Sequence, residues 1–319
     1  VRRRTKAPTA PLPQRDGIDP VRVRLPDGPP SGPGSEPGPA RGPATVREYL
    51  VGRYGGAVGA DRVEEMVREG RFVGADGTAV GWDEPYAGGR YLWFHRDFPA
   101  EEPVPFPVEV VYRDDRIVVA DKPHFLATMP RGRHVTETAV ARLRRDLGLP
   151  ALQPAHRLDR LTAGLVLFVV RPEDRGAYQT LFRDRLVHKA YEAVAPYDPE
   201  LELPVTVRSR IEKERGVMAA REVPGEPNAE SRIEPLAHRG GLARYRLVPV
   251  TGRTHQLRVH MNALGVPILH DPVYPVVRAD GPEDFARPLQ LVARSLVFTD
   301  PFTGGRREFL SRRSLTDLG

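Results

Sequence analysis

Two kinds of hydrophobic spacing alternate along the chain. From residue 108 onward, short apolar runs are separated by turn residues. "VEVVY" and "RIVVAD" flank the turn pair Asp114-Asp115 and predict two strands. "LVLFVV" (165–170) is almost purely apolar and predicts a buried strand. "HKAYEAVAP", "VTVRSRI", "GVMAAREV", "ARYRLVPV", "LQLVARSLVF" and "RREFL" add further strand patterns. Helical spacing appears in three places. "TETAVARLRRDLG" (136–148) is amphipathic and stops at Gly148, and "RPEDRGAYQTLFRDR" places Pro172 at a first helical position with acids in the first turn. In "THQLRVHMNALG", Leu257, Met261 and Leu264 share a face, with Thr254 as the expected cap and Gly265 as the stop. Many short strands with few helices predict an α+β domain on a mixed or antiparallel sheet. No internal repeat is visible.

The N-terminal third reads differently. Residues 1–44 are rich in Pro, Gly and Arg and predict a partly flexible segment, with one short strand possible in "DGIDPVRVRLP". Thr45 then caps "TVREYLVGRYG", and "ADRVEEMVREG" sets Val63, Met66 and Val67 at helical spacing before Gly70. Two strand patterns, "RFVGADGTAV" and "GRYLWFHRD", close this unit near Asp97. The Pro-rich "EEPVPFPVE" (101–109) reads as a boundary. The expected organisation is therefore 1–44, 45–99 and 100–319.

Composition narrows the function. At roughly 100–200 residues per domain, 319 residues suit two domains. A net charge of +6 favours a polyanionic partner. The charge comes from 44 arginines and only four lysines, so a single Arg outside a motif reads as a solvated surface charge. The absence of cysteine excludes disulfides, thiolate nucleophiles and Cys-ligated zinc. No apolar run approaches the ~18–20 residues that span a bilayer. The basic "VRRRTK" is followed by no apolar signal-peptide core, so a cytoplasmic location is expected.

The candidate chemistry centres on "PAHRLDRLTAGLVLFVV" (154–170), where Asp159 lies between Arg157 and Arg160 in a loop entering the apolar strand. Loop residues anchored on rigid elements are where chemistry tends to sit. A nearby cation keeps a carboxylate ionised, and an ionised, partly desolvated Asp is a nucleophile or base that needs no metal or cofactor.

"HRLDRLTAGLVLF" (156–168) resembles the signature of the RluA family of RNA pseudouridine synthases, and three further stretches resemble its other motifs in the right order. "VVADKPHFLATMPRG" (118–132) is similar to the Lys-Pro motif, "LFRDRLVHKAYEAVAP" (181–196) to the segment with the active-site tyrosine, and "TGRTHQLRVHMNALGVPILHDPVYP" (251–275) to the last core motif. The resemblance implies an α+β catalytic domain of that type over 100–319. It implies Asp159 as catalytic aspartate, Tyr191 as active-site tyrosine and Arg258 as the residue pairing with Asp159. By the same likeness Arg157 helps displace the target base. His156, Arg160, Arg253, Thr254, His255 and Lys122 are expected to contact RNA or base. The chain departs from the family at Ala163, His270, Pro275 and Val292, which bears on loop shape and substrate choice.

The implied reaction breaks N1–C1′ of uridine, turns the uracil and joins C5 to C1′. It is an isomerisation needing no cofactor or metal, and the chain has no dinucleotide or phosphate-loop fingerprint. Asp159 would trap the electron-deficient sugar or remove the C2′ proton; both routes stay open. Arg142, Arg144 and Arg145 would track the RNA backbone or form a solvated helix face. Residues 45–99 resemble an S4-type RNA-binding module, with an ordinary α+β cap as the other reading. The expected partner is structured rRNA or tRNA, bound by a monomer and away from membranes. A non-catalytic RNA-binding protein on the same fold is the main alternative. A glycosidase lacks a second carboxylate, since Glu192 points away from Tyr191's face. The spacing of His255, His260 and His270 matches no zinc motif.

Overall fold

The computed structural model describes residues 8–27, 42–278, 281 and 283–315, so 1–7 and 28–41 of the Pro/Gly-rich segment predicted at 1–44 lie outside the described residues. The chain divides into two compact units between Ala100 and Glu101.

In the first unit, β1 (Val21–Arg24) pairs antiparallel with β2 (Tyr91–Phe94), and α1 (Val46–Val58) and α2 (Ala60–Arg68) lie between them in sequence. Thr45 caps α1 as expected. Its hydroxyl accepts from Glu48 N, an orphan amide of the first turn, while the Glu48 carboxylate accepts from Ala44 N just before the cap. Val63, Met66 and Val67 of α2 are buried in one cluster with Leu50, Phe72 and Leu92.

The second unit is an eleven-stranded sheet among the described residues. Its elements in order are β3 (Glu109–Arg113), β4 (Ile117–Lys122), α3 (Ala139–Leu147), β5 (Gln153–Pro154), β6 (Ala163–Val169), α4 (Arg175–Arg183), β7 (His188–Pro196), β8 (Val205–Glu212), β9 (Arg221–Val223), β10 (Ala229–Arg239), β11 (Leu242–Pro249), α5 (Gln256–Ala263), β12 (Leu291–Thr299) and β13 (Arg306–Leu310). The spatial order is β3-β4-β6-β12-β7-β11-β10-β8-β9, with β13 on β12 and β5 on β6. Only β6–β12 is parallel, which makes the sheet mixed. β6 is buried at every position, in keeping with its apolar run.

The junction of β6, β12 and β7 positions the site. Ala293 of β12 stands opposite Gly164 on one side and Tyr191 on the other. Gly164 has φ +111°, and a Cβ there would lie 2.4 Å from Ala293 O. Only glycine permits that approach, which brings the loop before β6 alongside Tyr191.

Two expectations change. Thr254 does not cap α5; the residue before the helix is His255, in left-handed conformation with φ 58° and no side-chain cap bond. The cations of α3 do not form one solvated basic face. Arg142 donates to Phe106 O and Val104 O and pairs with Glu137, and Arg144 is buried with Nε on Leu152 O. Arg145 pairs with Asp146. Arg142 and Arg144 are thus held within the protein, while Arg145 stays on the surface.

Candidate active site

Asp159 sits in a loop whose backbone is pinned residue by residue. Thr128 Oγ1 donates to Leu158 O (2.9 Å) and accepts from Leu158 N (3.2 Å). Thr162 N donates to Asp159 O (3.1 Å). Lys122 Nζ donates to Arg160 O (3.2 Å), and His124 Nδ1 meets Leu161 O at 2.7 Å. A carbonyl only accepts, so His124 carries its proton on Nδ1. Burial pushes His124 down to about 4, so it stays neutral in that role.

Lys122 therefore does not contact RNA. It is fully buried, and its ammonium also donates to Pro123 O (2.9 Å) and Leu126 O (2.8 Å). Burial lowers it to about 7, with the Asp159 charge opposing that shift. The Lys-Pro stretch thus buttresses the loop from behind. Thr128 and His124 were not singled out by sequence, although both fall inside that stretch.

Asp159 stands on the wall between two cavities of about 640 and 630 Å³. They share Arg157, Leu158, Asp159, Thr254, His255 and Arg258. Among the described residues, Asp159 is the one carboxylate lining the first cavity, against Arg157, Arg183, Arg185, Lys189, Arg253 and Arg258. Tyr191 lines the same cavity, with its hydroxyl pushed well above the usual phenol range by burial and then by the Asp159 charge. The phenol stays protonated.

Arg258 corrects a sequence expectation. Its direct partner is Asp271: Nε meets Oδ2 at 2.7 Å and Nη2 meets Oδ1 at 2.6 Å, a bidentate pair buried at both ends. Burial works against the Arg258 charge, but the Asp271 hydrogen bonds, the Asp271 charge and then the Asp159 charge outweigh it. Asp159 feels Arg258 through space instead of by a direct ion pair. Asp271 also accepts from Val273 N (2.8 Å) and Tyr274 N (3.2 Å), which fixes the pair's orientation. Sequence reasoning missed Asp271, although it lies in "HDPVY" of the last motif.

The remaining candidates divide. Arg157 is exposed at the rim of both cavities, with no ion pair among the described residues. Arg160 is tied to Glu283 at 2.8 and 2.9 Å and to Phe125 O, so its charge is largely spent. His156 stacks on Phe182 at 4.2 Å and accepts from Leu167 N at 3.1 Å. Burial, then the Lys189 charge, pushes it down to about 3, so it is a neutral wall and not a cationic RNA contact. Arg253 is exposed with Nε on Asn228 O. Gln256, buried, accepts from Arg253 N and Thr251 Oγ1 and donates to Glu230 O and Ser231 Oγ, locking the loop that carries Thr254 and His255 onto β10. Lys189 was not assigned a role from sequence. Two residues before Tyr191 on one strand, it shares that tyrosine's face and lines the first cavity.

Comparison with known proteins decides the family. The model for "RNA pseudouridylate synthase" matches residues 116–263. The dual-specificity RNA pseudouridine synthase RluA of Vibrio cholerae is 34% identical over 211 residues, which cover 61% of this chain and 78% of that protein. The chain belongs to the RluA family. Other relatives are much longer. The yeast protein named "tRNA pseudouridine(32) synthase, mitochondrial" is 33% identical over 172 residues, 53% of this chain, and the match spans only 37% of its length. Among solved structures, human RNA pseudouridylate synthase domain containing 1 superposes with a TM-score of 0.54 at 25% identity, covering 67% of this chain and 86% of that one. The matched stretch 116–263 contains Asp159, Tyr191 and Arg258. Asp271 lies just beyond it.

Proposed function

We propose that this chain isomerises uridine to pseudouridine in a structured rRNA or tRNA. The observation that carries this reading is the cavity in which Asp159, the only lining carboxylate among the described residues, meets Tyr191 and six cations, Arg258 among them. In the reaction N1–C1′ breaks, the freed uracil turns, C5–C1′ forms, the C5 proton leaves and N1 gains one. Asp159 acts at the ribose, as nucleophile toward C1′ or as base toward the C2′ proton. Arg258, braced by Asp271, keeps positive charge near that carboxylate. Tyr191 packs against the uracil as a neutral phenol.

A nucleotide inside a helix cannot present C1′ to this carboxylate, so the target is everted. Arg157, exposed at the rim, fills the vacated place and meets phosphate. Arg253 and Lys189 supply further phosphate contacts. For residues 45–99, the S4-like reading is supported by the order of two helices followed by strand. Their charge speaks the other way: residues 45–99 carry seven arginines and nine acids. We therefore assign most RNA affinity to the catalytic unit. Among the described residues, no helix is long and apolar enough to cross a membrane.

The test is Asp159→Asn. Pseudouridine formation in protein-free cellular RNA should fall by about three orders of magnitude or more, while RNA affinity is retained. Equal product from parent and variant would remove Asp159 from the mechanism, and no product from the parent would leave the non-catalytic RNA-binding reading standing.

A further inference from the structure

His255 is held in a left-handed conformation, φ 58°, at the junction of the two cavities. Such a conformation in a non-glycine residue is costly and persists only where its surroundings impose it. Here Gln256 fixes the loop from within, and Tyr274 fixes the ring from outside.

The contacts of Tyr274 settle which ring nitrogen of His255 carries the proton. The Tyr274 hydroxyl lies 2.8 Å from Ala220 O, 2.9 Å from Ala220 N and 3.1 Å from His255 Nδ1. Two oxygens 2.8 Å apart need a proton between them, and a carbonyl has none, so the phenol's single proton goes to Ala220 O. Burial pushes Tyr274 up to about 12, so that proton is present. Ala220 N–H then occupies one lone pair of the phenol oxygen. The contact to His255 is satisfied only if Nδ1–H donates to the other. Burial, then the Arg258 charge, pushes His255 down to about 4, so the ring is neutral and Nε2 carries a bare lone pair. Among the described residues no protein group hydrogen-bonds Nε2, and it is not sealed from the cavities.

A neutral acceptor with no protein partner, in electrostatic reach of Asp159, calls for a donor on the substrate. Uracil offers one donor on its pairing edge, N3–H. The geometry of the reaction makes that donor special. Exchanging N1 for C5 at C1′ is a half-turn of the uracil about the line through N3 and C6. O2 and O4 trade places in that turn, whereas N3–H stays on the axis. A hydrogen bond to N3–H is therefore the one edge contact that survives the whole rearrangement.

We propose that His255 Nε2 accepts the N3–H of the everted uracil and serves as the pivot on which the detached base turns. This deepens the pseudouridine synthase reading and rests on it. It also supplies base selection, because cytosine presents a lone pair at N3 where uracil presents a proton.

The test uses two variants of the full chain that a structural role and a pivot role rank in opposite orders. His255→Asn keeps a polar group at the Nδ1 position, next to Tyr274, and tolerates the left-handed backbone, but it withdraws the acceptor from the cavity. His255→Gln loses the Nδ1 position and returns an amide oxygen near Nε2. Single-turnover pseudouridine formation on an RNA transcript that the parent chain modifies should fall at least tenfold in His255→Asn, with RNA affinity unchanged. His255→Gln should recover most of that loss, even if it melts earlier. Parent-like turnover in His255→Asn, or a slower His255→Gln than His255→Asn, would overturn the pivot while leaving the enzyme reading intact. A parent chain that modifies no RNA would overturn both.

Discussion

Asp97 in the N-terminal unit and Asp271 in the catalytic unit both anchor arginine, and they do so in different surroundings. Asp97 accepts from Arg62 and Arg71 at 2.6–3.0 Å, yet its side chain is 47% exposed. Asp271 grips Arg258 at 2.6 and 2.7 Å with exposures of 0% and 3%. The first unit spends its charge on surface pairs, such as Arg24–Asp27 and the Asp97 group, and its residues 45–99 hold nine acids against seven arginines. The second unit buries one pair completely and leaves other cations facing a cavity. Surface pairs contribute little because water screens both partners, whereas a buried pair that loses one member strands a charge in low dielectric. The contrast locates the site without reference to any relative.

The strongest way to break this contrast is to remove both carboxylates. Asp271→Ala should cost about 3–5 kcal/mol of stability, read as a lowered denaturation midpoint, and should abolish pseudouridine formation. Asp97→Ala should cost at most about 1 kcal/mol and leave product formation untouched. Equal costs would mean that burial does not separate the two units. Acid gives the next largest effect. His156 is held at about 3 by burial, against an ordinary value of 6.5. Between those values the unfolded chain takes a proton that the folded chain refuses, so stability falls as pH falls. From pH 7 to pH 5 this residue alone should remove about 2 kcal/mol. A denaturant titration at both pH values measures the loss, and His156→Gln should flatten it.

These numbers also show what the sequence could and could not announce. Strand positions and several helix ends were legible where local patterns are strong: the β6 run, the Thr45 cap and the Gly148 stop all appear at their expected places. β10 was not foreseen, because Pro235 and an exposed second half dilute its alternation. Asp159, Tyr191 and Arg258 were legible through their motifs, and they do share one cavity. What stayed hidden is who holds whom. Asp271 is thirteen residues from Arg258, and Lys122 is 38 from Arg160. Such partners are fixed by the sheet's order, which no local window reports. The same gap explains why Lys122 and His156, both basic by type, read as RNA contacts although burial has taken their charge out of play.

The smallest effect is the one that sharpens the contrast furthest. Each phosphate contact on RNA releases bound counterions, so losing one weakens binding and flattens its salt dependence. Arg157→Ala and Lys189→Ala remove cations that face the first cavity and have no ion pair among the described residues. Each should weaken RNA binding by about tenfold and reduce the log–log salt slope by about 1. Arg53 and Arg96 are the matching controls in the N-terminal unit; neither forms an ion pair among the described residues. Arg53→Ala combined with Arg96→Ala should change affinity by less than about twofold and leave the slope where it was. Filter binding across a range of salt measures both quantities at once. If the N-terminal pair instead matches the cavity pair, phosphate reaches both units, and the S4-like reading of 45–99 gains the support that its charge balance withholds.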